Sequence, residues 1–392
     1  MLAHSPPLPL TIYYRGKDGI TAEDEEGLLL ALEQRHRVRH LYLVFPVQYL
    51  RELIMAIDEE FPILEYLIVG PKTMDSAALI LPETLQAPNL HHLILTSFAF
   101  PVQPQLHPTA TGLVTLALTI THPSAYFQPN VLLQWISSIP QLETLVIAFT
   151  FDVPNRDVES QLTHTPITTH IILPNLRSFV FKGVSAYLEA VVCRITAHRL
   201  EKLKILLFKE LTFSVPHLPQ FMNTTENLRF DDAVIKFKDK EIYVWMSLRE
   251  ARTYPFVVTV DCCNLDWQVS SIAQIFNALS QVFSVVEHLD FRHEVHSSQL
   301  SEVHNHVDRI EWRNLLRPFS NVKTLRVRDG LVEQLSRCLR LEDGELPLEL
   351  LPELRELTYP GRRDTGDAFT SFIDARQNAG RPVTLVRRRR PL

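Results

Sequence analysis

The chain has 392 residues, 46% of them hydrophobic and 21% charged, with a formal net charge of -6. That is enough apolar material to bury a sizeable core, and it gives no general pull toward nucleic acid or an anionic surface. No run reaches the roughly 20 apolar residues that span a bilayer, and the opening MLAHSPPLPL lacks a basic segment followed by an apolar core, so a cytoplasmic or nuclear protein with no membrane partner is expected.

In chain order, a cap strand and helix are expected over residues 1–35. A pattern of apolar-x-x-apolar-x-apolar then starts at Val38, Leu64, Leu90, Leu113, Leu142 and Leu176. It returns at Val286, Val322 and Leu354. Most of the intervals fall near or somewhat above the 20 to 29 residues of leucine-rich repeats. Between these segments the apolar residues take helical spacing, as in Leu50, Leu53, Ile54 and Ile57, in Leu188, Val191, Val192 and Ile195, in Ile272, Ile275, Phe276 and Leu279, and in Trp312, Leu315, Leu316 and Phe319. Proline stands at the junctions FPIL, APNL, IPQL, LPNL and LPEL, where its fixed φ and missing donor suit a helix end and a strand entry. A unit of strand, turn and helix cannot bury its apolar face alone and must stack.

The expected fold is therefore α/β, a leucine-rich-repeat solenoid with a curved parallel sheet on the concave side and helices on the convex side, irregular in the middle. It occupies 1–392 as one array, with a first repeat block at 36–208, a divergent or inserted region at 209–268, a second block at 269–380 and a terminal strand with a basic tail at 381–392. Short alternating runs such as VIKF and EIYVW mark the divergent region, and a domain boundary there is the alternative.

LDWQVSSIAQIFNALSQVFSVVEHL, EWRNLLRPFSNVKTLRV and FTSFIDARQNAGRPVTLV, together with the opening HSPPLPLTIYY, resemble the leucine-rich-repeat region of fungal F-box-like proteins of mushroom-forming species. The resemblance implies a non-catalytic, target-recruiting role in a cullin-type ubiquitin ligase. Such a protein docks on the ligase adaptor through a helical F-box opening on Leu-Pro, and nothing before Leu28 supplies one.

Side chains alternate along a strand, so one set of residues should line the concave, partner-binding face. In the first block it includes Tyr42, Tyr66, Ile68, His92, Ile94, Val146 and Val180; in the second, His288, Asp290, Arg292, Arg326 and Arg328. The first block thus presents an apolar line and the second a charged one. Left exposed, the apolar line marks a docking surface. The alternative is that it is covered, as apolar strands of parallel sheets usually are.

No catalytic, metal or cofactor site is expected. Glycine-rich phosphate loops, H-E-x-x-H pairs and G-x-S-x-G elbows are all missing. His293, His296, His304 and His306 with Glu294, Glu302 and Asp308 match no zinc signature, and a solvated polar bulge is the expectation. A hydrolase site assembled in the irregular middle region is the alternative function. Four cysteines are too few for a disulfide framework, and the adjacent Cys262 and Cys263 should point to opposite faces. The arginines 387–390 are read as a solvated end to the last strand, with a nuclear import signal as the alternative.

Overall fold

The computed structural model describes residues 8–15, 20–57, 59–72, 78–82, 85–99, 111–151, 170–210, 212–225, 227–249, 253–294, 308–328, 330–342, 345–346, 348–360 and 368–388. It packs as two compact units, one of residues 1–183 and 190–200, the other of 184–189 and 201–392. Both are α/β, each built on a mostly parallel sheet.

In the first unit the strands β1 (Leu10–Arg15), β2 (Val38–Phe45), β3 (Tyr66–Pro71), β4 (His92–Thr96), β5 (Thr115–Ile120) and β6 (Thr144–Phe149) lie side by side in chain order. After the two-residue β7 (Ile171–Ile172), β8 (Ser178–Gly183) joins the same sheet beside β6, and β7 pairs with β9 (Ile195–Thr196). Every pairing is parallel. Parallel strands need a crossover, and the intervening helices supply some of them, as in Val47–Ala56 and Pro129–Ile136. The opening helix Ala22–Glu33 starts where Thr21 accepts the Asp24 N–H at 3.1 Å, with three acidic residues in its first turn.

Apart from the first, whose Val38 opens β2 itself, each apolar motif begins two residues before its strand. The leading residues Leu64, Leu90, Leu113, Leu142 and Leu176 are at most 1% exposed. The residue after each one extends the sheet: the N–H of His91 donates to Glu65 O, that of Val114 to His91 O, that of Glu143 to Val114 O, and that of Arg177 to Glu143 O. Asparagines tie successive turns together, Asn89 Nδ2 donating to Pro62 O at 2.6 Å and Asn175 Nδ2 to Pro140 O at 3.2 Å. At Gly70 the sheet leaves no room for a side chain, since a Cβ there would lie 2.7 Å from Thr96 Cβ.

In the second unit the sheet order is β10 (Lys202–Leu207), β13 (Phe256–Asp261), β12 (Glu241–Ser247), β11 (Asp232–Lys238), β14 (His288–Glu294), β15 (Thr324–Val327), β16 (Glu356–Pro360) and β17 (Thr384–Arg388). The region read as divergent is an antiparallel meander of β11, β12 and β13, flanked by parallel pairs on both sides. Ladder entry follows the same rule as before, Lys323 N–H donating to Glu287 O and Arg355 N–H to Lys323 O. Trp312, Leu315 and Leu316 of the helix Arg309–Leu316 bury one face, where Trp312 meets Phe237 and Phe291. Ile57, Ile195, Leu279 and Phe319, read as helical, lie past the ends of their helices, Ile195 in β9, and all four stay buried. Among the described residues no helix is long and apolar enough to cross a membrane.

Candidate functional site

Alternation divides every strand into two sets. In the first unit one set, including Leu41, Leu43, Leu67, Leu93, Leu116, Leu145 and Phe179, is at most 1% exposed. The other set remains half-buried or exposed, and parallel register lines it up across strands. Tyr13 stands opposite Tyr42, Tyr42 opposite Ile68, Ile68 opposite Ile94, Ile94 opposite Ala117, Ala117 opposite Val146, and Val146 opposite Val180. Next to this row runs a second one of His40, Tyr66, His92, Thr115, Thr144 and Ser178.

The two rows carry stacked rings. Tyr13 and Tyr42 stack at 4.4 Å between centroids, Tyr66 and His92 at 4.1 Å, and His40 meets Tyr66 edge-on at 4.6 Å. Thr11 Oγ1 lies 3.2 Å from His40 Nδ1. Burial, followed by the neighbouring His91, holds the His92 imidazole below its ordinary pKa. The neutral ring stacks on Tyr66 without carrying charge onto the face. Thus Tyr42, Tyr66, Ile68, His92, Ile94, Val146 and Val180 share one face, with Arg15 and Lys182 further along it.

The second unit presents a different surface. His288, Asp290, Arg292 and Arg326 line a cleft of about 400 Å³ together with Asp232, Val234, Arg249, Thr324, Glu356 and Thr358. Its floor is a register row, Val234 opposite Asp290, Asp290 opposite Arg326, and Arg326 opposite Thr358. Asp290 is 7% exposed, and its Oδ2 is shared by Arg292 at 2.8 Å and Arg328 at 3.2 Å. This brings Arg328 to the cleft, while Asp290 Oδ1 is shielded from solvent with no hydrogen bond among the described residues. Arg292 also lies over the Trp245 ring at 5.4 Å. Sequence reading missed Asp232, Trp245 and Arg249, because the meander that delivers them had no legible strand direction.

Among the described residues the Arg326 side chain makes no hydrogen bond or ion pair. Asp232 likewise accepts none, and burial raises its pKa above the ordinary carboxylate value. One strand, β14, lies between them, and the two strand spacings, about 10 Å of sheet, together with an offset of two residues along the strand put them too far apart for direct pairing. Glu356 uses Oε1 to accept the Thr358 hydroxyl at 3.0 Å.

His288 Nδ1 lies 2.6 Å from Thr324 Oγ1 and its Nε2 3.4 Å from Arg249 Nη1. Since a guanidinium only donates, Nε2 accepts and Nδ1 carries the proton. A Ser/Thr-His-Asp arrangement needs a carboxylate on that other ring nitrogen to orient the base; here a guanidinium holds it. In the middle region read as the alternative catalytic site, Cys262 is buried, with burial pushing its thiol pKa up, and Cys263 is exposed.

Of the histidine cluster, His296, His304, His306 and Glu302 lie outside the described residues, as do Arg389 and Arg390 of the tail. Among the described residues no group of three or more His, Cys, Asp and Glu is placed to hold a metal ion. Burial lowers the His293 pKa, and its ring packs against Gly330, where φ is +90° and a Cβ would sit 2.7 Å from Nδ1. Gly330→Ala should therefore cost about 1–3 kcal/mol through backbone strain and this clash, read as a lowered urea midpoint. A midpoint within error of wild type would show that the turn relaxes freely. Arg387 belongs to β17 and donates through Nε to the Tyr359 hydroxyl at 3.1 Å.

Compared with known proteins, the chain matches no family model and no curated sequence.

Proposed function

We propose that the chain is a leucine-rich-repeat protein-interaction module without catalytic activity, acting as the target-recruiting part of an F-box-type ubiquitin ligase receptor. The observation that carries the reading is the aligned row from Tyr13 through Tyr42, Ile68, Ile94, Ala117 and Val146 to Val180. Seven strands contribute to it; Tyr13 is exposed and the other six side chains are half-buried. Rows of this kind bury on partner binding, with tyrosines supplying rigid contact area at small entropic cost. The curvature that makes such a face concave, the repeat family and the ligase connection come from the motif spacing and the sequence resemblance.

Ile68→Glu with Ile94→Glu tests the reading, because both residues lie on the free face. Folding should be nearly unchanged by circular dichroism and melting, while a bound target weakens by roughly 30-fold or more, as for loss of an interface anchor. In a pull-down from a mushroom-forming fungus, recovery of the ligase adaptor and cullin supports the ligase role. Recovery of targets alone leaves a free-standing binder, and a set of partners indifferent to the double substitution overturns the face as the binding surface.

A further inference from the structure

We propose that the cleft of the second unit is a carboxylate-recognition site, in which Arg326 pairs with one aspartate or glutamate side chain of a partner polypeptide. The proposal rests on the protein-binding reading above and adds to it the chemistry of the partner.

Arg326 stands in the middle of β15 on the cleft floor, half-buried, with no counter-charge among the described residues. An arginine in a strand interior ordinarily finds a partner, since a partly desolvated guanidinium without one is costly. Its neighbours on both sides are already engaged. Across one strand boundary Asp290 is held by Arg292 and Arg328 through the same oxygen. Across the other, Thr358 donates to Glu356. The fork of Arg326 remains available, and a planar guanidinium matches the two oxygens of a carboxylate in bidentate geometry.

The charge balance selects the ligand. The cleft lining holds Arg249, Arg292 and Arg326 against Asp232, Asp290 and Glu356. With Arg328 added, four arginines face three carboxylates, leaving one positive charge in excess. Arg292 and Arg328 are held by Asp290 Oδ2, Arg249 reaches the His288 imidazole, and the floor guanidinium with no partner among the described residues is that of Arg326. One carboxylate neutralises it. A phosphorylated side chain, carrying roughly -1.5 to -2, would bring surplus negative charge beside Asp232 and Glu356.

The absence of internal bonds makes the test clean, because removing the Arg326 charge breaks nothing that holds the fold. Full-length protein is titrated with fluorescein-labelled, carboxy-amidated octaglutamate, with octaglutamine and with a phosphoserine-serine octapeptide, followed by anisotropy at low salt. Octaglutamate should bind, octaglutamine should not, and Arg326→Gln should weaken octaglutamate at least about tenfold, the loss of one charge-assisted pair, with an unchanged melting temperature. Equal binding by Arg326→Gln overturns the proposal, as does tighter binding of the phosphopeptide. If octaglutamate fails while Ile68→Glu with Ile94→Glu still releases a protein partner, the carboxylate site falls and the protein-binding reading stands. If that double substitution also changes nothing, the protein-binding reading falls with it.

Discussion

Replacing Trp312 by alanine is expected to destabilise the second unit by about 3–5 kcal/mol, the range for deleting a fully buried tryptophan. Trp312 is 1% exposed and lies edge-on to Phe237 at 5.6 Å and to Phe291 at 6.0 Å. Phe237 belongs to β11 of the antiparallel meander and Phe291 to β14, where the parallel run resumes. One indole therefore clamps the junction at which the sheet changes direction. Deletion leaves a cavity under both strands that a rigid sheet cannot close. At the scale of about 2–4 °C per kcal/mol for a unit of this size, the melting temperature should fall by roughly 10 °C. Among the described residues Trp312 Nε1 has no hydrogen-bond partner. Trp312→Phe sheds that buried donor and should recover most of the loss. A midpoint within about 1 kcal/mol of wild type for Trp312→Ala would mean that this helix is not part of the core.

Arg313→Ala should cost about 2–4 kcal/mol, because it breaks a largely buried pair while leaving carboxylates behind. Arg313 is 7% exposed and reaches Glu345 at 3.2 Å and Glu349 at 2.6 Å. Arg309 joins them, donating to Glu345 at 2.9 and 2.5 Å. These bonds, chiefly those from Arg309, pull the Glu345 pKa from its ordinary 4.5 down to about 2. A depressed folded-state pKa means stability present in full above the unfolded value and lost as pH falls from about 4.5 towards 2. Solvent screening holds this contribution to about 1–2 kcal/mol. Glu189 works in the opposite sense: burial outweighs the hydrogen bonds it accepts from His217 and Leu218 and raises its pKa. Its ionisation costs stability as pH rises above the unfolded value. Glu345→Gln should therefore flatten the acid limb of a stability profile measured by urea melts between pH 5 and 2. A limb unchanged by that substitution would place the acid sensitivity elsewhere.

Much of the strand layout was legible because the motif is a burial code. In LHHLIL, Leu90 fills the turn, Leu93 and Leu95 face inward, and His92 and Ile94 face out, all dictated by a period of two. The helical faces around Leu50 and Trp312 were legible for the same kind of reason. The meander was not. VIKF and EIYVW alternate in the same way whether their strands run parallel or antiparallel, so residue pattern carries no strand direction. The turn between β11 and β12, Asp239-Lys240, also lacks the glycine that usually announces a tight hairpin. The turn asparagines Asn89 and Asn175 stood in plain sight at the proline junctions, but their acceptors lie in the preceding turn, 27 and 35 residues back.

The charged face shows where sequence stops. Alternation alone put His288, Asp290 and Arg292 on one side of β14 and Arg326 and Arg328 on the same side of β15. It could not say which arginines would be spent on Asp290. That was decided across the sheet, where Arg328 reaches a carboxylate 38 residues away and Arg326 reaches none. Which face a side chain takes depends on backbone geometry within a few residues, and sequence records it. Whether its charge is paired depends on distances between strands brought together by folding, and only the tertiary structure sets those.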